Sequence, residues 1–516
     1  MSKAVPVTSL FFTAPVLSIM LVSFVFDPAG ITSRSARAGE PSKAPAQAKD
    51  PNGKSTEPVV VAKIGDSVIT RAELEERLVQ EIRPREEEDL EDSGPVTAES
   101  VLRQMLAEKA MSLEGRRLGY LNDETIRSSI NQFEQQQMVG MLVNNYLKEN
   151  PPATDAAAVA RKLKEDPKLT REQAVMLVQR PAAQQILEKF YSQLTAKFQL
   201  KKLKENFAEA ARIHDRLLNR PAQPRGQGES WIKNAQVRNE LSEQEKNLVL
   251  ATYEGGRFTL KDWFEVVCSI VPPRRPADLS TPAGVENLLE RALRAPILVA
   301  EAKSRGYDKD KKLRSDVRQL EDRRLLYKVQ EEKTRDATEP NAAQIQAYFE
   351  KNKERFAERA ALKIDQIWCA DLETARKLKG MLEEKADFTA LKKAHSLQKE
   401  SEPHNVSPVG EGPFWAELWK AKPNQTVGPI RGFYSDGVRW RIVKVLEKKP
   451  AKVQPYSQSL ETRVKWAMLG ERRRNALNAY GQQLLGKYPY EIFRDSIAGM
   501  DPLEIAAKRT ASGPRK

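Results

Sequence analysis

One pattern limits the fold of this chain more than any single motif: a short strand–turn–strand run, closed by a threonine and followed by helices, occurs twice about 190 residues apart. In the first copy Val60-Val61-Ala62-Lys63-Ile64-Gly65-Asp66-Ser67-Val68-Ile69 reads as two short strands about a Gly-Asp turn. Thr70-Arg71-Ala72-Glu73 then has capping-box form, in which the Thr hydroxyl accepts a helix N–H and Glu73 reaches back to the Thr amide. In the second copy Val249-Leu250-Ala251-Thr252-Tyr253-Glu254-Gly255-Gly256-Arg257-Phe258-Thr259 repeats the unit, and Thr259 precedes an amphipathic helix from Leu260 to Ser269. Downstream, Leu106, Met111, Glu114 and Gly119-Tyr120 line up with Leu293, Leu298, Glu301 and Gly306-Tyr307. Helical periodicity alone would not reproduce the turn glycines, so common descent of 60–150 and 248–340 is the simplest account. A hairpin leading into two or three amphipathic helices, made twice, predicts an α+β fold that is predominantly helical.

The remaining periodicity extends the helical reading. Ala98 to Leu118 is an amphipathic helix ended by Gly119, and Asp123 to Tyr146 is another. Between the copies, Glu172 to Lys204 and Phe207 to Leu218 read as helices; with no strand pattern in view, 153–247 is expected to be a helical connection. Trp263-Phe264, behind the second cap, are expected in the core. Ser457 to Leu485 is a long basic amphipathic helix, Tyr488 to Phe493 a final short strand, and 494–516 a mobile tail.

The amino terminus bears on compartment. Ser9 to Phe26 carries no charge, and Ala36-Arg37-Ala38 fits a small-residue cleavage site, so 1–38 is expected to be a signal peptide; a retained membrane anchor is the alternative. Residues 39–58 are rich in Pro, Ala, Lys and Ser and read as a flexible linker. The net charge is +14, but Lys and Arg interleave with Asp and Glu along most helices, which describes solvated faces rather than a nucleic-acid surface. Two cysteines, Cys268 and Cys369, and three histidines argue against a disulfide scaffold or a metal site; a bridge between the two cysteines is left open. No cofactor motif is present: P-loop, dinucleotide fingerprint, H-E-x-x-H and G-x-S-x-G are all missing.

The stretch from Ala361 to Glu447 has a different texture. Leu362 to Cys369 alternates as a strand, Leu372 to about Lys393 reads as a helix, Ser407 to Pro413 is punctuated by Gly and Pro, and Val438 to Val445 reads as a second strand. This order resembles the parvulin-type (PpiC-like) peptidyl-prolyl isomerase domain. The resemblance is carried by a lead-in helix Tyr348-Phe349-Glu350-Lys351-Asn352 with Phe356, by Asp387-Phe388 with Leu391 and Ala394-His395-Ser396, by Gln425-Thr426-Val427-Gly428-Pro429-Ile430, and by Arg441-Ile442-Val443-Lys444-Val445. It departs from the family where the family does its chemistry. The first strand reads Gln366-Ile367-Trp368 where the family has His-Ile-Leu, and Arg441, or Arg439 if the register slips by one pleat repeat, stands where its last strand begins with His. The Gly-Gly-x-Leu-Gly loop survives as Gly410-Glu411-Gly412. With the duplicated helical segments around it, the layout resembles SurA- and PrsA-like extracytoplasmic foldases. That resemblance implies a helical peptide-holding domain, made from 59–152, 153–247 and 248–340 and completed by a returning helix over 451–493, with a parvulin-like domain at 341–450 as an appendage.

Prolyl isomerisation breaks no covalent bond; it requires stabilising a twisted amide against a barrier of about 18–20 kcal/mol. The resemblance puts Gln366, Arg441 and Ser396 at the family's catalytic positions. Gln366 cannot reproduce an imidazole, and Arg441 adds a permanent charge where the family has a titratable ring. Phe414, Trp415, Leu418 and Trp419 fall at i, i+1, i+4 and i+5, and offer either a wall for a proline or peptide pocket or core packing. The expected function is an exported folding factor that binds unfolded polypeptides as a chaperone, with weak or lost isomerase activity. The alternatives are an active isomerase with a rebuilt site and a scaffold that binds one folded partner. Membrane contact is expected only through an uncleaved amino-terminal segment.

Overall fold

The computed structural model describes residues 58–83, 96–222, 231–335, 339–435 and 437–511; the expected signal peptide and nearly all of the linker after it lie outside these. Among the described residues no helix is long and apolar enough to cross a membrane. The fold is α+β and mostly helical. The chain divides into two compact units, a continuous one over Glu124–Glu321 and a split one formed by the described residues before and after it.

The split unit begins with strands β1 (Val60–Ile64) and β2 (Ser67–Thr70) and helices α1 (Arg71–Glu81) and α2 (Ala98–Arg117). The continuous unit runs α3 (Glu124–Glu149), α4 (Ala156–Glu165), α5 (Arg171–Lys197), β3 (Lys201–Lys202), α6 (Phe207–Asn219), α7 (Asn234–Glu240) and α8 (Glu243–Lys246). It continues through β4 (Val249–Tyr253), β5 (Gly256–Thr259), α9 (Leu260–Ser269), α10 (Pro282–Ala292), α11 (Arg294–Ser304) and the first half of α12 (Lys311–Thr334). The split unit resumes within α12 and continues with α13 (Ala342–Lys351), β6 (Ala361–Cys369), α14 (Leu372–Glu383), α15 (Phe388–His395), β7 (His404–Val406), α16 (Pro408–Glu411) and α17 (Trp415–Lys420). It ends with β8 (Thr426–Tyr434), β9 (Gly437–Lys449), α18 (Gln458–Lys487), β10 (Tyr490–Ile492), α19 (Arg494–Ile497) and α20 (Pro502–Ala511).

The two copies share several local details. Both hairpins turn at a positive-φ glycine, Gly65 and Gly255, and both ladders carry a register shift at the same place, Val60/Ala62 and Val249/Ala251. Thr70 with Glu73 and Thr259 with Asp262 form the two capping boxes. Gly119 (φ 74, ψ 19) and Gly306 (φ 75, ψ 17) end the matching helices in the left-handed region, where a side chain costs roughly 1–2 kcal/mol. Five residues before each glycine sits a buried glutamate. Glu114 accepts from Lys487 at 2.7 Å, from Tyr488 and from Arg117, while Glu301 accepts from Lys197 and from Arg305 at 2.7 Å. Each lysine closes a long helix, α18 or α5, that leads into a third strand on the same side of its hairpin: β10 pairs with β1 through Ala62↔Ile492, and β3 with β4 through Ala251↔Lys202. The repeated unit thus includes a helix and an edge strand delivered from elsewhere in the chain. Strand β3 corrects the all-helical reading of 153–247. Two lysines show no alternation to read, and only the neighbouring β4 makes them a strand.

The continuous unit buries Trp263 and Phe264 completely among Phe207, Ile213, Leu250 and Leu289. Burial of large side chains of this kind contributes about 1.5–3 kcal/mol each. In the split unit, Leu74, Leu78, Leu102 and Leu106 form a core with Leu484 and Leu485 of α18, and α18 approaches α2 closely at Gly481, where an added Cβ would stand 3.1 Å from that of Ala107.

The sheet that carries the candidate site has antiparallel order β7-β6-β9-β8. On one face Ile367, Cys369 and Ile442 pack on Ala375 and Leu378 of α14 and on Phe388 and Leu391 of α15. The single helix expected over 372–393 is therefore two: Lys385 takes φ 68, and Asp387 caps α15 by accepting from the Ala390 N–H at 2.7 Å. On the other face Leu362, Ile364, Val443 and Val445 share a core with Phe414 and Leu418 and also with Val79 of α1, Ile82 at its C-terminal cap and Ala506 of α20. This shared core corrects two expectations. The module is fused to the helical part of its unit rather than hung on it, and residues 502–511 of the supposed mobile tail are a docked helix, because Ala506 finds a fully buried place there.

Candidate functional site

Alternation along β6 sends Gln366 and Trp368 to the same face, and the ladder sets Val443 opposite Gln366 and Arg441 opposite Trp368. The two positions that resemble the family's histidines are therefore brought together. They meet as a structural pair. Arg441 donates from Nη1 to Gln366 Oε1 at 2.9 Å and to Glu411 Oε1 at 3.2 Å, and from Nη2 to Glu411 Oε2. Its guanidinium lies over the Trp368 ring at 5.0 Å, and Trp368 meets Tyr434 edge-on at 5.1 Å. Room for the guanidinium comes from Gly432 on β8, where a Cβ would stand 2.3 Å from Arg441 Nε. Glu411 is aimed by α16, which Ser407 caps and which ends in Gly412 at φ 53. Arg441 is 2% exposed, Glu411 5% and Gln366 6%. A two-pronged carboxylate–guanidinium contact in so dry a place is a strong hydrogen-bonding arrangement whose main effect is to leave neither charge free.

The third position, Ser396, is fully enclosed at the end of α15. Its Oγ accepts from the Trp368 N–H at 3.2 Å and the Gln398 N–H at 3.2 Å, so it ties the loop after α15 to β6. Asp365 and Cys369 fall on the opposite face, as alternation requires. There Lys392 donates to Asp365 and to the Ser401 carbonyl, and burial pushes the Cys369 thiol up to about 11. Cys268 and Cys369 are both free thiols.

The aromatic group divides in two. Phe414 and Leu418 point into the sheet core, with Phe414 edge-on to Phe433 at 5.1 Å. Trp415 and Trp419 stack on each other at 5.2 Å and stay half-buried, with Lys448 Nζ 4.2 Å above the Trp419 ring. The i, i+4 spacing makes two adjacent rows on α17 and the turn before it rather than one wall. Sequence reasoning noticed Gly410-Glu411-Gly412 but gave Glu411 no role. The available signal was a carboxylate held between two glycines in a chain that had put an arginine on the facing strand.

Comparison with known proteins agrees with this segment. Residues 340–459 match the PPIC-type PPIASE domain family. The match covers the segment on which the parvulin resemblance was read. Solved structures similar to the chain include a SurA-like chaperone of Campylobacter jejuni, at 16% identity over 46% of this chain and 98% of that one, with a TM-score of 0.23. The PrsA peptidylprolyl isomerase of Bacillus cereus is 18% identical over 37% of this chain and 68% of that one, with a TM-score of 0.21. The foldase PrsA of Streptococcus pneumoniae is 16% identical over 36% of this chain and 70% of that one, with a TM-score of 0.23. No curated protein matches the chain. In the PPIC-type segment, then, the positions that resemble the catalytic pair hold a glutamine and a salt-bridged arginine.

Proposed function

We propose that this chain is an extracytoplasmic folding factor that binds unfolded polypeptides as a chaperone, and that its PPIC-type segment has given up isomerisation. The observation that carries this reading is the Arg441–Glu411–Gln366 cluster. Catalysis of a rotating amide needs a cleft that admits a proline ring and donors left free for the twisted backbone. Here Gln366 Oε1 and the Glu411 carboxylate take both Nη groups of Arg441, which leaves its Nε without a partner among the described residues, and all three side chains are at least nine-tenths buried. Ser396 likewise spends its oxygen on two backbone amides. The half-buried, stacked Trp415–Trp419 pair offers apolar surface on this module. The uncharged run Ser9 to Phe26 and the Ala36-Arg37-Ala38 site support export.

The test is proline-limited refolding of a client alongside suppression of aggregation of an unfolded client, using the chain without residues 1–38. The expected result is no acceleration of refolding and clear suppression of aggregation. Acceleration that Arg441→Ala or Gln366→Ala abolishes would overturn the reading and establish an isomerase with a rebuilt site.

A further inference from the structure

Helix α20 is ten residues long, too short to persist in water without packing. It is held by Leu503, Ile505 and the wholly buried Ala506, which join Val79 of α1 and Ile82 at its C-terminal cap in the core beneath the sheet. The helix packs on both α1 and β9. The chain reaches it through Gly499, whose φ of 70 makes a natural hinge and whose surroundings are open. One of its polar ties is the pair Arg431–Glu504, in which Glu504 is half exposed, so this tie is weak. The fit against α1 is also incomplete: a cavity of about 270 Å³ remains, lined by Arg71, Glu75, Met500, Asp501, Glu504 and Ile505. A short amphipathic helix, reached through a hinge and incompletely packed over an apolar floor, has the character of a replaceable occupant.

We propose that the groove between α1 and β9 is a docking surface for short amphipathic helical segments, and that α20 occupies it in cis until a client segment of the same kind displaces it. The segment it fits carries two or three adjacent apolar residues and an acidic residue in its first turn to meet Arg431, as Leu503, Glu504, Ile505 and Ala506 do. This deepens the chaperone reading and rests on it for the identity of the competitor.

The experiment measures binding of a fluorescent peptide of residues 499–511 to the chain without residues 1–38. Ala506→Asp places a charge in a fully buried position and should undock α20. An occupied groove binds a competitor more weakly by the fraction of time it is free, so Ala506→Asp should tighten peptide binding at least about tenfold. Adding Ile82→Asp should remove that gain. Glu504→Lys, which sets like charge against Arg431, should act in the same direction by a smaller factor, and it reads the same equilibrium if Ala506→Asp disturbs the fold by circular dichroism. Unchanged affinity in a folded Glu504→Lys chain, or a gain that survives Ile82→Asp, would overturn the proposal. Aggregation suppression is recorded in parallel. Peptide binding that follows the expected pattern in a chain unable to suppress aggregation supports the groove and removes the chaperone reading.

Discussion

Glu411→Ala isolates the energetics of the buried pair. The Arg441 side chain is 2% exposed and that of Glu411 7%, so the substitution leaves a guanidinium in the interior with Gln366 Oε1 as its remaining described side-chain acceptor. Removing one partner of a buried ion pair costs about 3–5 kcal/mol. For a unit of this size, each kcal/mol moves the melting temperature by roughly 2–4 °C, so the expected loss is roughly 6–20 °C. Replacing both charges together, Glu411→Leu with Arg441→Met, should recover most of it, because neither charge then pays desolvation. The assay is differential scanning calorimetry of the wild-type chain, Glu411→Ala, Glu411→Leu, Arg441→Met and the double variant, with wild type and the last three read as a double-mutant cycle. A loss below about 1 kcal/mol for Glu411→Ala, the range of an exposed pair, would mean that water reaches Arg441. The view of the site as a closed structural cluster would then fail, and a reacting role for Arg441 would be open again.

Gly432→Ala sets a methyl group against the guanidinium and should destabilise by about 1–3 kcal/mol in the same calorimetry, an effect that Arg441→Met should largely relieve. Gly119→Ala and Gly306→Ala should each cost about 1–2 kcal/mol, and the two values should agree within experimental error because the two backbones are nearly superimposable in φ and ψ. His214 is enclosed by Trp263 and Phe264, bonded to Ser280, and faced by Arg275 and Asp215; burial lowers its pKa from 6.5 to about 4. Its unfolded form therefore binds the proton first as pH falls. The stability it contributes is complete above pH 6.5 and drains away toward pH 4, by about 3 kcal/mol at most, and His214→Phe should flatten that slope in urea titrations at pH 7, 5.5 and 4.5.

The sequence made the local structure of the repeats readable because their signals are short and stereochemical. A Thr followed three residues later by an acid, and a glycine after a helix, mean nearly the same thing wherever they occur, and Thr70, Thr259, Gly119 and Gly306 behave accordingly. What stayed hidden was set by partners distant in the chain. Lys201-Lys202 is a strand only because β4 lies beside it, and α20 is a docked helix only because Val79, Ile82 and the sheet offer Ala506 a dry contact. The break at Lys385 was hidden for a different reason. Apolar spacing runs through it almost undisturbed, and a lysine gives no warning of a left-handed turn.

The site shows the same division between local and distant causes. Resemblance to a family aligned Gln366 and Arg441 with two histidines, and so read each residue as a substitute for an imidazole. Their chemistry is decided by Glu411 and Gly432, neither of which the resemblance singled out. An arginine on β9 would be an intolerable buried charge by itself; Glu411 neutralises it, Gln366 takes another of its donors, and the missing side chain at Gly432 admits its width. A histidine at position 441 alone would leave Glu411 without the guanidinium it holds, and a histidine at position 366 alone would still face the Arg441–Glu411 pair. Reversion to an imidazole pair would therefore have to change at least three of the four positions together. Arg441, Glu411 and Gln366 form one packed polar unit, with the Trp368 ring against the guanidinium and Tyr434 edge-on to Trp368.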